Sequence, residues 1–357
     1  MRLNFTKSIV VLATIFCLLP TSKSSAQDFI EIFLAPEKDV TEYLGNYIEP
    51  AMFSFANGMV GGWYNTAKTH KPLGFDLTFT LNIANIPESQ RQFDFTPSNN
   101  LRLATATGSG QLPTIVGGDT NESLQLTGSF TAPDGNTYRY NGNTFAAPNG
   151  FDVSSLPVAG IPVPMAQLGI GLIKNTDLKI RYGKFSAEDS GLTYGVNQFG
   201  IGVMHDFKQW IPGIKHIPVD MAVFVGFSRF KSTVDFNENE PTVFSAVGTT
   251  EMVANNTTIQ ALVSKKLSVL TVYGGLGYNI VSSSLKVKGD IVNYSLTNPL
   301  NGEPYRVSDP VDFTFDGGST FRGTIGMRLK FAFLTLHTDY TFQKYNMLTA
   351  GVGISIR

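Results

Sequence analysis

The residues of this chain that could do chemistry are four histidines and a scatter of carboxylates and arginines. His337 and Asp339 stand two apart in Leu334-Thr335-Leu336-His337-Thr338-Asp339-Tyr340. On an extended strand, residues two apart share a face, so an imidazole and a carboxylate project side by side. That is the start of a hydrolytic site, with the His as base beside a carboxylate. Such a site needs a Ser or a water-activating partner next to the His, and the sequence supplies none. Arg322 and Arg328 lie on the preceding segment, Arg322 diagonal to Asp339 and Arg328 diagonal to His337. Arg322, Arg328, His337 and Asp339 therefore read as a polar network inside a lumen, bracing a wall or holding an internal segment. No catalytic residue is assigned, and a barrel-embedded hydrolase is the minor alternative. His205-Asp206 reads as a strand-end pair facing water.

Other chemistry is absent from the motifs. There is no His-Glu-x-x-His pair, no Gly-x-Ser-x-Gly elbow and no phosphate loop. The only cysteine is Cys17, so zinc-ribbon spacing and disulfides are excluded from the rest of the chain. Neither metal nor cofactor is expected. Gly274-Gly275-Leu276-Gly277 reads as a mid-strand stretch where Gly relieves crowding. Basic and acidic residues balance at 27 and 28, so no nucleic-acid surface is implied.

The elements that carry these residues are strands. Phe75, Leu77, Phe79, Leu81 and Ile83 alternate with Asp76, Thr78, Thr80, Asn82 and Ala84. The same period of two recurs in Leu168–Leu172, Leu178–Tyr182, Val219–Phe227, Ile259–Val263, Leu270–Tyr278 and three segments after residue 320. Charged residues are only 15% of the chain and aromatics 12%, with 35 Gly. No run of about 18 apolar residues follows residue 26, so a membrane-spanning chain of this kind must be a closed barrel. Expected turns at 174–176, 266–267 and 331–332 are short. The stretches 87–163, 231–256 and 287–318 are long, polar and read as loops. That asymmetry is typical of a transmembrane antiparallel β-barrel with short periplasmic turns and long extracellular loops.

A two-residue turn at 331–332 would pair Leu329 with Leu334, Met327 with Leu336 and Gly323 with Tyr340. A turn at 344–346 would pair Leu336 with Ile354, and place His337 between Gly326 and Gly353. The count is about 12 strands, within 10 to 14. The upper numbers need a hairpin of Ser123–Phe130 and Tyr138–Thr144, turning at Asp134-Gly135, to join the wall or else to project from it. Residues 61–357 form the barrel. Ahead of it, Arg2 and Lys7, the apolar stretch Ile9–Leu19 and Ser-Ser-Ala at 24–26 read as a Sec signal peptide over 1–26. Residues 27–60 do not alternate. Val40, Tyr43, Leu44, Tyr47 and Ile48 follow helical spacing, Asp39 and Glu42 resemble a capping box, and Pro50 is expected to end or kink the helix. This amphipathic helix is expected to plug the lumen; a periplasmic helix with its apolar face against the barrel rim is the alternative.

The stretches Trp63-Tyr64-Asn65-Thr66-Ala67-Lys68 to Leu73-Gly74-Phe75-Asp76, Gly202-Val203-Met204-His205-Asp206 to Gln209-Trp210-Ile211-Pro212, and Val272-Tyr273-Gly274-Gly275 resemble an uncharacterised family of Bacteroidota outer-membrane proteins. They are distantly similar to the barrels that import long-chain fatty acids and aromatic hydrocarbons. That second resemblance implies 14 strands and an N-terminal hatch. No ligand-contact residue of those transporters matches a position here, and the chain ends in Ile356-Arg357 rather than an aromatic. Together these readings point to the bacterial outer membrane and to a passive channel or transporter for small or hydrophobic solutes, in contact with outer-membrane lipid. A structural or surface-interaction barrel acting through its long loops is the alternative. No enzyme is expected.

Overall fold

Alternating large apolar and small polar residues favour extended backbone with one greasy face, and such a face must be covered by something other than water. In a computed structural model, which describes residues 32, 37–95, 101–106, 110–131, 137–189, 192–240, 244–297, 303–316 and 318–356, these segments close on one another. The expected signal peptide and the turn at Asp134-Gly135 lie outside the described residues. Ten wall strands run in chain order: β1 Phe75–Asn85, β2 Gly160–Leu172, β3 Thr176–Asp189, β4 Leu192–His205, β5 Asp220–Glu240, β6 Phe244–Leu267, β7 Leu270–Thr297, β8 Thr320–Phe331, β9 Leu334–Phe342 and β10 Met347–Ile356. Each pairs antiparallel with the next, and β10 returns to β1 with Phe75 opposite Ile356 and Ala84 opposite Met347. The ring leaves no open sheet edge, as an up-and-down barrel requires.

The two faces of the wall differ. In β1 exposed and buried residues alternate without a break, with Phe75, Leu77, Phe79 and Leu81 outward and Asp76, Thr78, Thr80 and Asn82 inward. All ten strands present at least one large exposed apolar side chain outward, the extremes being Leu276 at 73% and Phe321 at 80% exposed. A continuous belt of this kind is unfavourable in water and suits hydrocarbon. No helix among the described residues is long and apolar enough to cross a membrane.

The ring holds ten strands, not twelve, and not the fourteen implied by the transporter resemblance. Asn85 pairs directly with Gly160, so everything between β1 and β2 stands off the wall. The segment Ser123–Thr131 does pair with Thr137–Ala146, but its other neighbour is Leu101–Thr105, and the three form a separate sheet. Two other expected loops are largely strand. β5, β6 and β7 run 21, 24 and 28 residues, far past the rim, and residues 304–308 and 311–316 pair back onto β7. Their Asn, Thr and Ser content resembles that of loops because both faces of such hairpins leave the membrane, so no apolar alternation marks them.

Register also shifts. Phe331 pairs with Leu334, so the turn is Ala332-Phe333, with Ala332 at φ 52°. Leu329 then meets Leu336, and Gly323 meets Phe342 rather than Tyr340. In the next hairpin Leu336 meets Val352 and Leu334 meets Ile354. Here Tyr345 is fully buried beside Phe53, and Asn346 accepts from the Gln343 N–H, which draws the turn inward. Both slips are of two residues. An even slip changes partners and preserves faces, which is why the face pattern could not detect it.

The helix α1, Glu37–Gly58, runs through Pro50 without ending. The ring of Pro50 removes one backbone bond, at about 3 kcal/mol in a free helix. Burial of Met52, Phe53, Phe55 and Ala56 just beyond it offsets that loss. Asp39 is not a cap: its carboxylate accepts from the Leu103 N–H at 2.9 Å, tying the helix to the three-stranded sheet.

Candidate functional site

The helix divides into two halves. Val40, Tyr43, Leu44 and Tyr47 are buried, and Ile48 partly so, against the standing-off segment between β1 and β2. The Tyr43 ring meets Phe93 and Phe95 edge-on at 5.6 and 5.4 Å, and Tyr47 Oη donates to the Asn149 carbonyl at 2.6 Å. Only its last turns enter the long-loop rim, where Ser54 Oγ donates to the Ala84 carbonyl at 2.6 Å. The first half of α1 is thus covered by loops, while its second half packs on an apolar upper wall: Phe55 meets the Phe230 ring of β5 at 4.6 Å, and Met52, Phe53 and Ala56 cluster with Val163, Ala254, Val281 and Met347.

The lumen below is filled by the chain beyond the helix. From Met59 the backbone leaves helical geometry and threads irregularly down the barrel to residue 74, where β1 starts at the short-turn rim. Arg181 of β3 and Arg322 of β8 hold its upper end. Arg181 Nη1 and Nη2 donate to the carbonyls of Met59 and Gly61 at 2.9 and 2.6 Å, and Arg322 Nη1 donates to the carbonyl between them, Val60, at 3.0 Å. The Arg181 guanidinium also lies 3.6 Å over the Trp63 ring, and its Nε donates to Gln167 Oε1 at 3.1 Å. Gln167 in turn donates to the Trp63 carbonyl. Below, Tyr64 Oη donates to Gln260 Oε1 at 2.5 Å and the Ala67 N–H to Ser264 Oγ at 2.9 Å. At the short-turn rim His70 meets Asp177 twice, through its N–H at 2.8 Å and Nδ1 at 2.9 Å, with Asp76 3.4 Å from Nε2 and Lys179 3.8 Å from Asp76.

Inward glycines make the room. A Cβ at Gly200, Gly202 or Gly226 would stand 3.1 to 3.2 Å from the Trp63 ring. Gly62, at φ 68°, presses on Thr80, where a side chain would both collide and be strained. Trp63 is 1% exposed, and Arg181 and Phe224 are 0% exposed, so no water-sized gap opens beside them. The barrel is occluded at this level.

Arg322, Arg328, His337 and Asp339 all face inward and are buried. Arg328 stands directly opposite His337, not diagonal to it. His337 lies between Arg328 and Gly351, its ring filling the space a Gly351 side chain would need. Neither of its ring nitrogens has a hydrogen-bond partner, so no hydroxyl is set against it as a nucleophile would be. Asp339 accepts from Tyr273 Oη at 2.9 Å. Arg322 turns instead to Thr341 and to the threaded segment. Among the described residues no group of three or more His, Cys, Asp or Glu could hold a metal ion. His205 accepts from Trp210 Nε1 at 2.8 Å on the outer wall, part of the short-turn rim rather than of the lumen.

Sequence reading missed Arg181, Gln167 and the whole of 59–74 as the occluding element. The available signal was an aromatic pair, Trp63-Tyr64, in a stretch that keeps neither the helical nor the strand period. The inward glycines were a second one.

Ring, lipid-suited belt and internal segment define the class: a ten-stranded membrane β-barrel of the outer-membrane type, occluded from within by its own N-terminal region. The chain belongs to a family of unknown function (DUF6588), whose sequence model matches residues 5–356. No curated protein matches it significantly. Among solved structures it is similar to the translocator domain of the autotransporter NalP from Neisseria meningitidis, at 11% identity over 81% of this chain and 90% of that one, TM-score 0.30. It is similar also to Ail, the attachment invasion locus protein of Yersinia pestis, at 12% identity over 51% of this chain and 96% of that one, TM-score 0.22. A third is the outer membrane channel DcaP of Acinetobacter baumannii, at 11% identity over 83% and 100%, TM-score 0.21. At such scores the likeness adds nothing to the geometry described above.

Proposed function

We propose that the protein is an outer-membrane transporter for small solutes whose passage is closed at rest by residues 59–74. The supporting observation is the nature of the closure. The occluding segment is not wall: it is irregular backbone seated in glycine sockets, held by side chains reaching its carbonyls, and only its last two residues, Leu73 and Gly74 bonded to Gly171, join a strand ladder. The apolar belt supports a barrel seated in lipid, with the short-turn rim periplasmic. A standing-open passive channel fits poorly with a sealed waist. The unpartnered His337 supports a non-enzymatic role.

The mature chain offers a clean test, because its only cysteine, Cys17, lies in the expected signal peptide. Ala67→Cys with Ser264→Cys should tether the segment to β6 when oxidised. In proteoliposome swelling, solute flux is expected from the reduced form and to fall several-fold on oxidation. Equal flux in both forms, or none in either, would reject the gate. In that event the second reading gains: a surface-interaction barrel working through the long β5–β7 hairpins, which no membrane requirement explains.

A further inference from the structure

The two arginines that hold the closure are chemically odd. Arg181 is 0% and Arg322 4% exposed, and among the described residues neither makes an ion pair. The partners of Arg181 are two carbonyls, Gln167 and an indole face; those of Arg322 are one carbonyl and two threonines. The carboxylate facing this region, Asp339, is bonded to Tyr273. The buried ion pairs of the lumen lie lower, among His70, Asp76, Asp177 and Lys179. Buried cations ordinarily have a counter-anion, since desolvation is otherwise uncompensated. Here two guanidiniums converge on three successive carbonyl oxygens, and Arg322 Nε is buried with no partner at all.

A carbonyl is a neutral acceptor, and an oxyanion binds a guanidinium fork about twice as strongly per hydrogen bond. The backbone of 59–61 thus gives this pair neutral oxygen acceptors where a carboxylate or phosphate would give charged ones. We propose that Arg181 and Arg322 form a binding site for an oxyanion-bearing solute, filled at rest by the carbonyls of Met59, Val60 and Gly61. The solute competes for both forks, releases the segment at its upper end and unstacks Trp63 from Arg181. This rests on the gated-passage reading and names its solute class.

Trp63 and Trp210 are the 2 tryptophans of the chain, so Trp210→Phe leaves Trp63 as sole reporter. The full mature protein carrying that change is reconstituted in phosphatidylcholine vesicles. It is titrated with succinate or inorganic phosphate at constant ionic strength against chloride, and with butane-1,4-diol as the uncharged control. Acrylamide quenching of Trp63 is expected to rise saturably with either oxyanion and to stay flat with chloride and the diol. Arg322→Gln should raise the half-saturating concentration about tenfold, the loss of one charge-assisted hydrogen bond. Lys266→Gln, an exposed charge at the short-turn end of β6, should leave it unchanged. If Arg322→Gln fails to assemble, Arg322→Lys, which keeps charge and loses the fork, should shift it in the same direction by less. Oxyanions no more effective than chloride, or a response indifferent to Arg322, would overturn the site. Diol flux through the same vesicles separates the two ideas. Flux with a silent anion response sinks the site and keeps the passage. A saturable anion response without any flux keeps the site and sinks the passage.

Discussion

Single residues decide two properties of this barrel, its seat in lipid and its seal. Ile325 stands mid-strand on β8, outward and 58% exposed, whereas Leu336 lies two residues from the start of β9, near the short-turn rim. The penalty for an arginine depends on depth, about 2–4 kcal/mol at the midplane and about 0–1 near the interface. Ile325→Arg is therefore expected to destabilise folding into vesicles by about 1–4 kcal/mol more than Leu336→Arg, read from urea titrations. Equal costs would show the belt to be misplaced along the strands. Inward, Gly202 has the Phe224 ring 2.8 Å and the Trp63 ring 3.2 Å from where a Cβ would stand. Gly202→Val should overpack that socket by about 1–3 kcal/mol. Its expected signature, in the Trp210→Phe background, is a Trp63 more open to acrylamide in a barrel that still assembles.

At the scale of elements, lid and stopper are separate pieces. Helix α1 covers the loops, and residues 59–74 seal the wall. Removing residues 27–55 while retaining the export signal should strip the apolar cover from the segment between β1 and β2. Brief protease treatment is then expected to cut within residues 86–153, while conductance in planar bilayers stays close to that of the intact protein. A large rise in conductance on that deletion would mean that the helix, not the threaded segment, is the seal. The long β5, β6 and β7 belong to this scale too. Above Asp235 the β5 strand pairs with β6 and no longer with β4, so the hairpin stands free of the ring.

For the whole molecule, closure is the governing fact. Ten strands sharing every ladder bond unfold together, and the outward belt keeps them in lipid. Unboiled protein is expected to migrate differently from boiled protein on a denaturing gel and to resist alkaline carbonate extraction. Recovery in the soluble periplasmic fraction would contradict the barrel. The seal depends on opposite walls being held at fixed distance, since Arg181 on β3 holds the carbonyls of Met59 and Gly61 while Arg322 on β8 holds that of Val60 between them.

The sequence alone pointed to the barrel and to the face of each residue in the alternating stretches, because a period of two is local and those stretches repeat it. From that pattern His337, Asp339, Arg322 and Arg328 could be placed inward. It could not choose between registers two residues apart, since both satisfy the same faces; the burial of Tyr345 and the turn at Ala332 settled that. Strand number was left open between 10 and 14, because Ser123–Thr131 is a strand wherever it pairs, and only the direct contact of Asn85 with Gly160 shows that it lies off the wall. The apolar helix face was legible, but what covers it was not, because loop residues such as Phe93 and Phe95 carry no period. The occluding segment was hidden for the same reason. Its conformation comes from glycine sockets and arginines on strands more than a hundred residues away, and contacts at that separation exist only once the ring has closed.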